Sequence, residues 1–272
     1  MIRGLYIATS GMTANERLQE MNSNNIANAN TIGYKSDDGV VRSFPELLAY
    51  RLKDDKGGVG KGDNVAIGQL GYGAALEEMV PRFVQGLLKE SDNPYARAIL
   101  DTPPGAEEPN RRSFFPVSVG NETMYTRDGD FKVQTGTNYL VTTKGDAVLP
   151  INAATGDVMQ NVRIRVQADG TFQYVDAATG QPFVAPGQQP TMGVVDIVDS
   201  HALRKYGETY FTGGQAEQGT GRIVERQLEQ SNVDLAASMV SMMNVMRSYE
   251  ANQRMIRTLD STLEKAVSIG RL

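Results

Sequence analysis

The sequence predicts an α+β fold: N- and C-terminal helices pairing as a coiled coil, with an inserted antiparallel all-β domain. Three observations predict it. Both ends of the chain lack proline and place apolar or small residues three and four positions apart. The middle carries short β-forming runs separated by Gly-containing turn dipeptides. Charge follows the same division: Arg3, Arg17 and Lys35 nearly balance Glu16 and Glu20 in 1–36, and 225–272 matches its acids with bases. The chain's net charge is −5, so the middle carries −6. Near-neutral ends can pack on copies of themselves, while an acidic lobe stays dissolved.

The first helix is predicted over 2–28. Ile7, Gly11, Ala14, Leu18 and Met21 form a heptad-like seam on one face. At 1.5 Å per residue the helix is about 40 Å long. It runs into Asn22, Asn24, Asn25, Asn28 and Asn30, and then Gly33. Asparagine tolerates left-handed backbone and bonds its own chain, so this run predicts a helix stop. Its amides also offer donors and acceptors for contacts between subunits.

Residues 37–94 are expected to form an extended arm, Gly-rich from 57 to 73. The prolines at 103, 104 and 109 predict a loop-like stretch from Pro94 to Pro116, ahead of the strands of an antiparallel β domain over 95–200. Its strands are expected at 115–119, 123–127, 131–134, 139–143, 162–167, 171–175 and 192–198. The dipeptides Asp128-Gly129, Lys144-Gly145, Thr155-Gly156, Asp169-Gly170 and Thr179-Gly180 are expected as turns. A return segment, 201–230, leads to the last part, 231–272.

The last helix, 233–268, gives the clearest pattern. Ser231 or Asn232 can cap it. Its seam is Leu235, Met239, Met242, Met246, Tyr249, Gln253, Ile256, Asp260, Leu263 and Val267. A helix of about 54 Å with so narrow a stripe needs a partner helix, from this chain, another copy or both. Its methionines read as adaptable packing rather than a cofactor site.

Composition excludes several classes of function. The 272 residues contain no Cys and one His, which rules out disulfides, thiolate chemistry and multi-histidine metal sites. No metal and no cofactor is expected. An acidic chain with a pI near 5.1 is not a phosphate-neutralising nucleic-acid binder. No apolar run reaches the roughly 20 residues of a membrane span, so no membrane insertion is expected. Only Leu5 to Ala8 follow Arg3 before Thr9, too short for a secretory signal core. Gly57-Gly58-Val59-Gly60-Lys61-Gly62 lacks the Ser or Thr a phosphate loop needs after its lysine. Asn121-Glu122-Thr123 matches a glycosylation sequon, a tripeptide common by chance. His201 follows Asp199 and Ser200, but sequence neighbours do not make a triad.

The motifs resemble a known family. Ser23-Asn24-Asn25-Ile26-Ala27-Asn28, followed by Asn30-Thr31-Ile32-Gly33-Tyr34-Lys35, is similar to the signature of bacterial flagellar basal-body rod and hook proteins. The opening Ile2-Arg3-Gly4-Leu5-Tyr6 resembles the distal-rod type. Three further stretches are similar in the family's order: Tyr125 to Phe131, Leu203 to Phe211, and Leu228 to Asp234 with Arg247 to Asn252. Departures are Ser238 before Met239-Val240, Ser113-Phe114-Phe115-Pro116 without flanking glycines, and a rearranged 91–112 loop.

The resemblance implies a structural subunit and not an enzyme. It implies export without a cleaved signal by the flagellar type III apparatus, and polymerisation into a hollow, torque-transmitting axial tube in the cell envelope. The implied partners are copies of this chain and other rod or hook axial proteins. Hook and proximal-rod subunits of the same family are the near alternatives. From other classes, a paired-carboxylate cell-wall hydrolase and an adhesin or needle-type subunit remain. Aromatic content of 7% with no Trp argues against the first.

Overall fold

A computed structural model describes residues 2–45, 47–51, 65–101, 110–120, 122–183 and 188–270. The Gly57–Gly62 run, the prolines at 103, 104 and 109, and Asn121 of the sequon lie outside the described residues. The chain divides into two compact units. One comprises residues 1–26, 37–80 and 235–272; the other comprises 27–36 and 81–234.

The helical unit holds helix α1, Ile2–Ala27, and helix α2, Leu235–Ile269. Both fall within two residues of their expected bounds, because proline-free apolar spacing of three and four suits only a helix. The unit also holds two antiparallel ribbons: Asp37–Ser43 beside Ala74–Pro81, and Leu47–Arg51 paired with Val65–Leu70. Among the described residues, the segment expected as an extended arm is therefore largely strand.

The β unit is built on one long strand, Arg112–Val119. It pairs antiparallel with Glu122–Thr126, placing Phe115 opposite Thr126 and Val117 opposite Met124. Ala147–Val148 and Val195–Ile197 pair with the same strand. The sheet continues through Tyr210–Thr212 to Arg204–Tyr206 on one side, and through Leu140–Val141 to Lys132–Val133 on the other. Val162–Val166 and Phe172–Asp176 form a hairpin across Asp169-Gly170, as the dipeptide predicts.

Alternation along Arg112–Val119 sends neighbouring phenylalanines to opposite faces. Phe115 joins Ile99, Phe131, Leu140, Val148 and Ile164 in one core. Phe114 joins Phe83, Ile197, Leu203 and Phe211 in another. Phe83 meets Phe114 at 5.4 Å and Phe211 at 5.0 Å between ring centroids, both edge to face. A strand buried on both sides explains why Ser113-Phe114-Phe115-Pro116 shows no polar alternation.

The expected turn at Asp128-Gly129 is not one: the strand before it does not fold back there. Gly129 instead sits against Arg97, where any Cβ would collide with the Arg97 carbonyl. Residues 204–229 also contribute strands. Arg222–Glu225 pairs with Arg97–Leu100, and Gln227–Glu229 pairs with Leu88–Glu90.

Candidate functional site

The asparagine-rich end of α1 works through its side chains rather than through left-handed backbone. No asparagine of that run has positive φ; Gly33 does, at 69°. Asn22 Nδ2 donates to Ser241 Oγ of α2 at 3.2 Å. Asn25 is buried and bonds the Asp37 backbone at both ends: Nδ2 donates to Asp37 O at 2.9 Å, and Asp37 N donates to Oδ1 at 3.0 Å. These two bonds tie the end of α1 to the start of the Asp37–Ser43 strand. Asn28, also buried, accepts from Thr31 Oγ1 at 3.1 Å. Ser23, Asn24 and Ala27 are exposed.

In the helical unit, α2 runs antiparallel past α1. A Cβ at Gly4 would stand 3.2 Å from Leu259 Cδ1, and one at Gly11 would stand 2.8 Å from Asn252 Nδ2. Each step along α1, from Gly4 to Gly11 to Asn22, is matched by an equal step back along α2. A ribbon covers another part of α1: Leu18 and Met21 pack over Gly39 beside Leu76. Ala14 and Met21 are buried, Leu18 is half-buried and Ile7 is exposed. On α2, Met242, Tyr249 and Ile256 are half-buried, whereas Leu235, Met239, Met246 and Leu263 are exposed.

In the β unit the same sequence signature ends in a buried ionic network. Lys35 Nζ lies 2.7 Å from Glu229 Oε1 and donates to Val84 O at 2.8 Å. Arg127 Nη1 lies 3.3 Å from Glu229 Oε2, while its Nη2 donates to both Asp101 oxygens at 2.7 and 2.8 Å. The side chains of Lys35 and Glu229 are each 1% exposed, and that of Arg127 is fully buried. The Arg127 guanidinium also stands 5.1 Å from the Phe114 ring centroid.

Burial, reinforced by the Arg127 charge, pushes the Lys35 ammonium down to about 8. Burial alone would raise the Glu229 carboxyl; Arg127 and Lys35 outweigh it and hold Glu229 below the usual glutamate value. Two cations and two anions thus share one site, with Lys35, Arg127 and Glu229 buried and Asp101 partly exposed. Lys35, Arg127 and Glu229 each lie in a motif quoted from the sequence, but no local pattern shows that these stretches meet one another and Asp101.

His201 does not assemble a catalytic set. It is exposed, and Asp199 Oδ1 accepts the His201 backbone N–H at 3.0 Å rather than facing its ring. Among the described residues, no group of three or more His, Asp or Glu could hold a metal ion. No helix among them is long and apolar enough to cross a membrane.

This arrangement defines a class of structural subunit: the polar groups tie chain segments together, and apolar side chains line the outside of a long helix. Comparison with known proteins gives the family. Residues 5–35 match the family described as flagella basal body rod protein. Residues 110–174 match the D1 domain of flagellar hook protein FlgE/F/G, and 225–269 match the C-terminal part of flagellar basal body rod FlgEFG protein.

The flagellar hook-basal body complex protein FlhO of Bacillus subtilis strain 168 is 32% identical over 285 residues, covering all of both chains. The flagellar basal-body rod protein FlgG of Borreliella burgdorferi is 28% identical, again over the whole of both chains. FlgG of Buchnera aphidicola subsp. Acyrthosiphon pisum is 28% identical over 97% of this chain and 98% of its own. The chain belongs to the flagellar basal-body rod and hook family.

Proposed function

We propose that the chain is a structural subunit of the bacterial flagellar basal-body rod. In this reading it is exported by the flagellar type III system and polymerises with copies of itself and other axial proteins into a hollow, torque-transmitting tube. It acts by packing and not by catalysis. The observation that carries the reading is the row of exposed apolar side chains along α2: Leu235, Met239, Met243, Met246, Leu263 and Val267. Burying a side chain of this size contributes about 1.5–3 kcal/mol, so the row favours neighbours over water.

The matched steps of α1 and α2 support their pairing as an antiparallel coiled coil. In that pairing Met242, Tyr249 and Ile256 serve the contact within the chain, and Met239, Met246 and Leu263 serve contacts between chains. Relatives that carry rod names match nearly the whole length of the chain, which supports the rod over the hook. The test is assembly of the purified chain with and without residues 233–272. The full chain is expected to sediment as filaments, and the shortened chain to stay soluble with its β unit folded. Filaments formed equally by both would refute the reading.

A further inference from the structure

We infer that Glu229 is a latch that fastens the 27–36 segment to the β unit without help from the helices. The chain's firmly folded part therefore begins at residue 27, the last residue of α1. Separate chain segments meet at this one residue. Its Oε1 accepts from Lys35 Nζ and from the Gly86 backbone N–H at 2.8 Å; its Oε2 faces Arg127; its backbone carbonyl accepts Gly33 N–H at 2.8 Å. Three separate stretches, 33–35, 86 and 127, converge on a side chain supplied by a fourth.

Arg127 and Asp101 pair with each other, so removing the segment leaves Glu229 with Arg127 and the Gly86 N–H, and takes the Lys35 ammonium away from both Glu229 and Val84 O. Breaking one member from a buried ion pair costs far more than the intact pair contributes, which makes such a network specify one position rather than add stability. Gly33 sharpens the fit: its positive φ lets it lie flat on the Arg127–Asp128 peptide, where a Cβ would collide.

Other fasteners act on the same stretch. Lys205 Nζ sits 3.9 Å from the Tyr34 ring centroid and donates to Lys35 O at 3.1 Å. Asn232 Oδ1 accepts Ser36 N–H at 2.7 Å, while its Nδ2 donates to Arg82 O at the same distance. All of these partners lie in the β unit. The latch holds whether or not copies assemble.

The test is amide exchange on the full-length unassembled chain. In mild urea that lets α1 and α2 exchange freely, residues 27–36 are expected to stay protected together with the 162–176 hairpin. Glu229→Gln should cut protection in 27–36 at least tenfold and leave the hairpin unchanged. Lys35→Met combined with Glu229→Gln, which leaves the Arg127–Asp101 pair in place, should recover part of that loss. Three results would overturn the latch: 27–36 exchanging along with α1 in the unaltered chain, no change in Glu229→Gln, or an equal loss across the whole β unit.

Discussion

The β unit and the helical unit solve the problem of burial in opposite ways. In the β unit, large apolar side chains close on both faces of Arg112–Val119, and even its buried charges find partners inside the chain. In the helical unit, α2 runs for 35 residues with Val245 as its one buried residue among those described. The β unit is finished by its own sequence. The helical unit leaves apolar surface on α2 that is exposed among the described residues. The difference separates residues that make a fold from those proposed to make an assembly, and substitutions can tell them apart.

Met246→Asp should have the largest effect. An exposed methionine contributes little to the single chain, so the melting temperature of the unassembled protein should stay within a degree or two. Filament yield by sedimentation should fall to background, because a carboxylate at a dry contact between copies has no partner. Equal damage to chain and filament would erase the contrast.

Phe115→Ala tests the other side. Phe115 is wholly buried and packs edge to face on Phe131 at 5.1 Å between centroids. The substitution should cost about 3–5 kcal/mol of β-unit stability in urea unfolding. A cost below about 1 kcal/mol would mean that this core does not carry the unit.

Asp128→Asn gives a smaller, pH-dependent effect. Burial pushes the Asp128 carboxyl up to about 6. The folded form then holds a proton that the unfolded form has already released, so this group's stabilisation is complete below about pH 4 and is lost as pH rises through about 6. A shift of this size corresponds to roughly 2–3 kcal/mol. The asparagine variant should lose that slope between pH 4 and 6, as read from urea midpoints at several pH values. A slope identical to that of the unaltered chain would refute the assignment.

The smallest effect is expected at the Arg42–Glu77 pair, 2.7 Å apart with both side chains open to water. Glu77→Ala should change stability by less than about 0.5 kcal/mol, and salt should abolish even that.

What the sequence disclosed follows from how local each pattern is. Helices α1 and α2 were legible because their spacing repeats over many turns. The 162–176 hairpin was legible because its two strands flank one Asp-Gly. Strands such as Leu88–Glu90 and Gln227–Glu229 were not: each is three residues long, and its partner lies more than a hundred residues away. The ten-position stripe on α2 shows a different limit. Met242, Tyr249 and Ile256 are half-buried and keep the seven-residue repeat, but Ser238, Val245, Asn252 and Leu259 complete the inward face, while Met239 and Met246, the neighbours of Ser238 and Val245, stay exposed. Lys35 and Glu229 each stand in a motif quoted from the sequence, but their pairing gave no sign, since a lone charge in a polar stretch reads as a solvated one.

The bond between Lys35 and Glu229 spans 194 positions. A polypeptide that emerges vectorially, from either end, presents one of these charges long before the other. Until the late arrival comes through, the early one stays hydrated and its stretch of backbone stays unclaimed. Closing so distant a contact is slow relative to local helix or hairpin formation. Maturation of the β unit is thus timed by the passage of nearly the whole molecule, and a fragment cut short before Glu229 cannot seat its own beginning.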